Sequence, residues 1–547
     1  MSRAKRAALV MCAAVVVPSC VSPGGDGDRE PPVLSVETPA RAAQLDAESV
    51  VVGGRASDAG SGISSVKING VAAELGADGA FQLELPLAGG VSLIEVVAGD
   101  GAGNEARDVR AVLSGRRSQD GVIGNGLMAR VGAGGYGVIA AGVRDWLAAT
   151  DLGARTPGSL MSVPGCFDLH VVRLQHGPID VDLAPRAGGI GVAVEVRDVV
   201  VDLSVDLGGF CGDGGSSMPA RLRADSLWLR GLVPLAVSGG RVTPDLSGLA
   251  AELEAVDVDT GSLPGEVADL LLDGAPAELA DALGGTIGAL AGDVIGDSLG
   301  ELDAVEWTSA ILGLGLTVRL APSRVDAGVD GLAVTSSVEL RFGELGPVEY
   351  VAGAAPVEVP ELSSDSALRL AVADDVANLT LAALWSSGSL DRSLVIPEGN
   401  PARTRLGLDR LELALSLPPM VTSRDGSARI VVGDALVTAY DLAGDAVMRL
   451  ATSAVADLAL SGGGGAVLTL IPDEAQLWVS PLDDQNGSSS TLELPEALRL
   501  AALDQMTRFL DDSLASLPVP DLTGIAEVSG LAAAPGYLVL DADLVAP

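Results

Sequence analysis

Aromatic side chains make up only 3% of the sequence, although hydrophobic residues account for 48%. A core must therefore be assembled from Val, Leu, Ile and Ala, with little aromatic mass to fill it. Basic residues are also scarce, 34 against 73 acidic, which leaves a formal charge of −39. Such a surface repels polyanions instead of collecting their counterions, so no nucleic-acid partner is expected. The acidic residues are spread along the chain, as on a solvated surface. With two histidines and four cysteines, the chain has few groups for acid–base, metal or thiol chemistry. Glycine and proline are frequent, 70 and 30, but follow no collagen period, so a folded chain is expected. A length of 547 residues exceeds one ordinary core and points to several domains.

The amino-terminal end carries an address. Arg3, Lys5 and Arg6 precede a short apolar run, Ala7 to Val17, too short to span a bilayer. Val17-Pro18-Ser19-Cys20 resembles a bacterial lipobox, which makes 1–19 a signal peptide and Cys20 the lipid-attachment residue. Pro18 departs from the usual pattern, and an ordinary cleaved signal is the alternative. Val21 follows Cys20, so nothing resembles an inner-membrane retention signal. The expected location is exported, on the outer membrane or cell surface, held by an acyl anchor. Cys12 leaves with the signal and Cys20 carries lipid. Cys166 and Cys211 are then expected to form a disulfide in an oxidising compartment.

Residues 20–30 read as the lipidated cysteine and a Gly/Asp-rich tether. From 31 to 114 short alternating strands are punctuated by turns, with Asp78-Gly79 placed for a tight hairpin before Phe81-Gln82-Leu83-Glu84-Leu85. Ser57-Asp58, Ser61-Gly62-Ile63, Asn69-Gly70 and the turn Asp100-Gly101-Ala102-Gly103-Asn104 resemble a bacterial immunoglobulin-like domain. This implies an all-β sandwich acting as a spacer or binding arm. Residues 115–120 read as a linker.

Beyond 120 the pattern changes. Leu127, Val131, Val138 and Trp146 recur near the helical period and predict a helix over 121–149. Ile190, Val192, Val194 and Val196 alternate with polar or small residues, slip at Arg197-Asp198, and resume as Val199, Val201, Leu203 and Val205. A long helix over 265–302 follows, with Leu279, Leu283, Ile287, Leu290 and Val294 as its stripe. More strands surround a short helix at 375–384, which carries Leu379. A last helix is expected over 495–517, with Leu500, Leu503, Leu510 and Leu514, and a closing strand over 537–544.

These halves resemble the tubular lipid-binding family related to bactericidal/permeability-increasing protein and cholesteryl ester transfer protein. The likeness is carried by Leu517-Pro518-Val519-Pro520 with Gly536-Tyr537-Leu538-Val539-Leu540, and by Leu368-Arg369-Leu370-Ala371-Val372 leading into the short helix. The resemblance implies an α+β body. It consists of two consecutive elongated barrels at 121–305 and 306–547, each a twisted antiparallel sheet wrapped on a long helix. Acyl chains would lie between helix and sheet, lined by Leu127, Val131, Val138, Leu283, Ile287, Leu290, Val294, Leu379, Leu503, Leu510 and Leu514. Two departures stand out. The second long helix lacks the family's bridging cysteine, and the acidic balance argues for a neutral or zwitterionic lipid over lipopolysaccharide.

Several motifs point elsewhere. Gly132-Ala133-Gly134-Gly135-Tyr136-Gly137 matches GxGxxG, and Gly124-Asn125-Gly126 with Ala129 a variant of it, but neither follows a strand of a βαβ unit. Gly296-Asp297-Ser298-Leu299-Gly300 fits GxSxG, yet both His170 and His176 precede it and it falls late in a helix. Cys166, Asp168 and His170 share a strand face without zinc spacing. Asp58 and Asp100 suit turns as readily as calcium. No enzyme activity, metal or cofactor is expected. The sequence reads as a lipid-binding or lipid-shuttling lipoprotein, and the alternative is a structural or adhesive surface protein with filled barrels.

Overall fold

The computed structural model describes residues 28–156, 158–209, 215–300, 306–353, 367–424, 426–461, 467–471, 475–482 and 526–544. Cys20, Cys211, Leu503, Leu510, Leu514 and the expected helix over 495–517 lie outside them.

The amino-terminal domain is a two-sheet sandwich. A four-stranded sheet (Val33–Thr38, Ser49–Ser57, Ala80–Pro86, Glu74–Leu75) faces a five-stranded one (Ala43–Leu45, Glu105–Ser114, Gly90–Asp100, Ile63–Ile68, Val71–Ala72). Alternate residues point inward, and Val52, Phe81, Ile68, Ile94 and Val96 from both sheets form one core. The Asp78-Gly79 turn closes a hairpin in which Glu74 pairs with Gln82. Gly79 adopts φ 79°, which a β-carbon would strain.

This domain is docked, not tethered. Val91, Ala111 and Leu113 pack with Met420 and Val431 of the carboxy-terminal sheet, and with Leu417 in a connection between its strands, in a separate apolar cluster. Within the expected linker, Arg117–Ser118 pairs antiparallel with Tyr350–Val351.

Among the described residues the body contains three large sheets. The first is eight-stranded and built on two long strands, Gly189–Leu207 and Ser217–Ser238. The slip read at Arg197-Asp198 is real. Both residues are exposed, Asp198 takes φ 52°, and Val199, Val201, Leu203 and Val205 return to the buried face. There the partner of the long strand changes from Ile179–Arg186 to Phe167–Gln175. The central sheet is seven-stranded in the order Glu306–Ile311, Leu314–Gly328, Gly331–Phe342, Val122–Val131, Leu368–Ala373, Tyr537–Leu544, Ala526–Ala534. The last sheet, also seven-stranded, is centred on Ser427–Asp441 and Ala446–Ser461.

Five helices are present among the described residues: α1 (Ala133–Ala149), α2 (Leu152–Arg155), α3 (Gly265–Gly300), α4 (Asp374–Ser386) and α5 (Pro401–Leu406).

The expected α+β body of two helix-wrapped barrels is overturned. Strand accounts for 60% and helix for 16%, and the two outer sheets are half-barrels. Among the described residues only α3 exceeds 17 residues, and it packs along the first sheet. The division at 305 does not separate sheets either, because Val122–Val131 sits in the central sheet between Gly331–Phe342 and Leu368–Ala373.

The helix read over 121–149 is a strand followed by α1. Leu127 and Val131 therefore sit on the strand, Val138 is half-buried on α1, and Trp146 points to solvent. A register shift between Ile123 and Leu127 breaks the period-two pattern, which hid the strand.

Candidate functional site

A small apolar recess lies on one face of the central sheet. Leu127 pairs with Val372, Leu320 with Val338, and Trp307 with Val318. Directly opposed residues share a face. With Gly126 and with Val376 from α4, they line a narrow recess of about 20 Å³ whose surface is wholly apolar. Gly126 permits it: a β-carbon there would stand 2.5 Å from Val338 Cγ2. The GxGxxA-like stretch is thus a strand bulge brought against its neighbour.

Helix α4 roofs this region and is pinned at its start. Ser423 donates from its backbone N–H and its hydroxyl, both at 2.7 Å, to Asp374. One turn on, Asn378 exchanges hydrogen bonds with the Val421 backbone. Asp375 accepts from Gly353 N–H at 2.7 Å. Carboxylates in the first turn suit the positive end of the helix dipole. Burial nevertheless pushes Asp374 up to about 6, against the lowering effect of the Ser423 bonds. Both carboxylates line a pocket of about 330 Å³ whose other walls include Gly89 and Gly90 of the amino-terminal domain, Arg424 and Gly536. Leu379 is not on a cleft; it is sealed in the core beneath α4.

Helix α3 lays Leu271, Leu279, Leu283, Ile287 and Leu290 against the first sheet, all fully buried. The close approach depends on glycine, since a β-carbon at Gly284 would stand 2.3 Å from Ala251 Cβ. Val294 belongs to the helix, but its side chain lies outside the described residues. On α1, Tyr136, Ala140, Val143 and Leu147 form the buried face of the same core. Among the described residues the Tyr136 hydroxyl has no hydrogen-bond partner, and burial pushes its pKa up to about 12.

The remaining candidates resolve into structural roles. Gly135 starts α1 so tightly that a β-carbon would stand 2.5 Å from the Ala367 carbonyl oxygen. The Gly296-to-Gly300 motif falls inside α3. Cys166 is disulfide-bonded. Asp168 meets the Ser162 hydroxyl, and His170 Nε2 is 3.5 Å from Asp206 on the exposed face. The carboxylates of Asp28, Asp58 and Asp100 converge within 4.8 Å. Asp100 accepts from the N–H groups of Ala102, Gly103 and Asn104, and Asp58 from Gly60 and Gly62, as turn-capping aspartates do.

Of the sequence-selected lining residues that are described, only Leu127 falls in the apolar recess. Trp307, Val318, Leu320, Val338, Val372 and Val376 were not selected. Their signal was present as alternation in the flanking strands, but no pattern indicates which sheet face stays partly open.

Comparison with known proteins gives a match to the family model "Glucodextranase, domain B" over residues 32–114, in keeping with the immunoglobulin-like sandwich. No curated protein matches the chain. Among solved structures, a lipopolysaccharide binding protein is similar at 17% identity and a TM-score of 0.44, covering 77% of this chain and 99% of its own. Latherin is similar at 14% identity and a TM-score of 0.18, covering 31% of this chain and 80% of its own. SGBP-B of the Bacteroides ovatus mixed-linkage glucan utilization locus, in complex with a mixed-linkage heptasaccharide, matches at 9% identity and a TM-score of 0.13, over 94% of this chain and 99% of its own.

Proposed function

We propose that this chain is a non-catalytic envelope lipoprotein that binds or shuttles a lipid or another apolar ligand. The observation that carries the reading is the recess between α4 and the central sheet, whose lining exposes no polar surface. Apolar burial favours a hydrocarbon ligand there by roughly 25 cal/mol per Å² covered. At about 20 Å³ the recess is smaller than an acyl chain, so uptake in this reading requires it to widen. The sequence resemblance of residues 120–547 supports the same ligand class, and the −39 charge favours a neutral or zwitterionic lipid. The signal-like start and Cys20 support export and acylation, with the immunoglobulin-like domain near the anchor.

Native mass spectrometry of the chain purified from a bacterial host, followed by organic extraction, tests the reading. Co-purified acyl lipid in about one or two copies supports it. An apo mass that persists after incubation with mixed lipids sinks it. Mass analysis of the membrane-extracted protein with and without Cys20→Ala tests acylation. The second reading, a ligand-free structural or adhesive protein, is favoured by one observation: Leu283, Ile287 and Leu290 are sealed against the sheet as in a filled core.

A further inference from the structure

The cavity of about 330 Å³ at the start of α4 is walled by both parts of the molecule. Its size falls in the range of small-molecule sites, roughly 300–1,000 Å³. Gly89 and Gly90 of the immunoglobulin-like domain and Gly536 of the last hairpin turn give it backbone walls with no side chains to fill it. The first turn of α4 and the strand Met420–Arg424 supply the rest.

The charge of these walls is unbalanced. Asp374 and Asp375 are only 6% and 7% exposed, yet both line the cavity. Arg424 on the wall and Arg116 outside it act on them through space, and neither forms an ion pair with them among the described residues. Asp375 Oδ1 accepts the Gly353 N–H, and among the described residues no donor reaches Oδ2. Arg424 Nη2 is already held by the Ala88 carbonyl at 2.9 Å. Two carboxylates against one guanidinium leave the walls with a single negative charge to be met. Burial holds both carboxyls above their ordinary range, and a cation in the cavity would favour their charged forms.

The donors already in place narrow which cation fits. A divalent metal ion takes about six or more oxygen ligands. Here Asp374 already accepts two donors from Ser423, and the Asn378 amide is spent on the Val421 backbone. An ammonium needs only one unit of opposite charge and a few acceptors. Met420, Val421 and Pro535 offer apolar surface to a short hydrocarbon stem behind it.

We propose that this junction cavity binds a small aliphatic primary amine, whose ammonium donates to Asp375 and Asp374 and whose stem lies against Met420 and Pro535. The assignment is independent of the lipid-binding reading and stands or falls separately from it.

The test titrates n-butylamine into the full chain at neutral pH and physiological salt, followed by calorimetry, with n-butanol and tetramethylammonium in parallel. Saturable one-site binding is expected for n-butylammonium. The neutral alcohol and the cation without N–H groups should bind at least about tenfold more weakly, the size of one charge-assisted hydrogen bond. Asp375→Asn keeps an acceptor for the Gly353 N–H and should weaken the amine about tenfold. Arg424→Gln removes the competing cation and should tighten it. Heat that does not saturate and vanishes with added salt marks counterions gathered by the −39 surface and overturns the proposal. Equal binding of n-butanol, or an Asp375→Asn chain that binds the amine as the wild type does, overturns it as well. Should Asp375→Asn fail to fold, the three compounds on the wild-type chain and the sign of the Arg424→Gln effect still decide, because weaker amine binding in Arg424→Gln contradicts the assignment.

Discussion

Arg41 of the immunoglobulin-like domain donates from Nη1 to Asp434 Oδ1 of the last sheet at 2.8 Å, joining residues 393 positions apart. Both side chains are buried, and Arg41 also meets Asp108, which Arg110 contacts at 2.9 Å. Asp434 further accepts from the Ala42 and Ala111 N–H groups. The domain that might have been a loose arm is thus locked on the body by a closed polar network inside an apolar rim.

Removing one partner of that network strands a buried charge. Asp434→Ala is expected to cost about 3–5 kcal/mol, read as a fall in denaturant midpoint and as new protease cleavage near 115–120. An undiminished midpoint would show that the docking contributes nothing to stability.

Packing at the same interface is tight enough to test with one carbon. A β-carbon at Gly433 would stand 2.3 Å from Ala111 Cβ. Gly433→Ala should therefore destabilise by about 1–3 kcal/mol. Small-angle scattering should show the amino-terminal domain displaced, whereas an unchanged profile and midpoint would contradict the contact.

Asp374 supplies a pH dependence whose sign follows from its pKa. Burial raises it from 3.8 to about 6, so the charged form is disfavoured in the folded chain. Its contribution is fully present below the unfolded value and is lost as pH rises through about 6. The difference is worth roughly 3 kcal/mol. Asp374→Asn should flatten the fall in stability between about pH 4 and 7, measured by urea melts at several pH values. A slope identical to wild type would refute the assignment.

Two substitutions separate recess from core. Leu127→Trp fills the apolar recess from a half-buried strand position and should cut bound lipid while leaving the melting temperature within a few degrees. Leu290→Asp buries a carboxylate in the sealed face of α3 and should unfold the core that α3 forms with the first sheet. If Leu290→Asp folds and merely loses lipid, the α3 face is a cleft lining.

Much of the local structure was written in the sequence. The sandwich strands, the hairpin at Asp78-Gly79, the slip at Arg197-Asp198, the stripe of α3 and the closing strand Tyr537–Leu544 all follow from period, turn chemistry and propensity. Each depends on residues a few positions apart. The misread stretch is instructive: the bulge after Ile123 scrambles the alternation of Val122–Val131, and the apolar positions that remain fall by coincidence on a helical period.

What tertiary structure alone decided is which faces meet. A strand near residue 125 inserts beside one near 370 in a shared central sheet, and Arg41 finds Asp434 across the chain. The recess, the pinned start of α4 and the Tyr136 hydroxyl, unpartnered among the described residues, arise from side chains that sequence distance does not relate. Periodicity tells a residue which side of its own element is apolar. Whether that side is sealed, half open or left with an unsatisfied group depends on the shape of its partner, and that is settled only when the sheets pack.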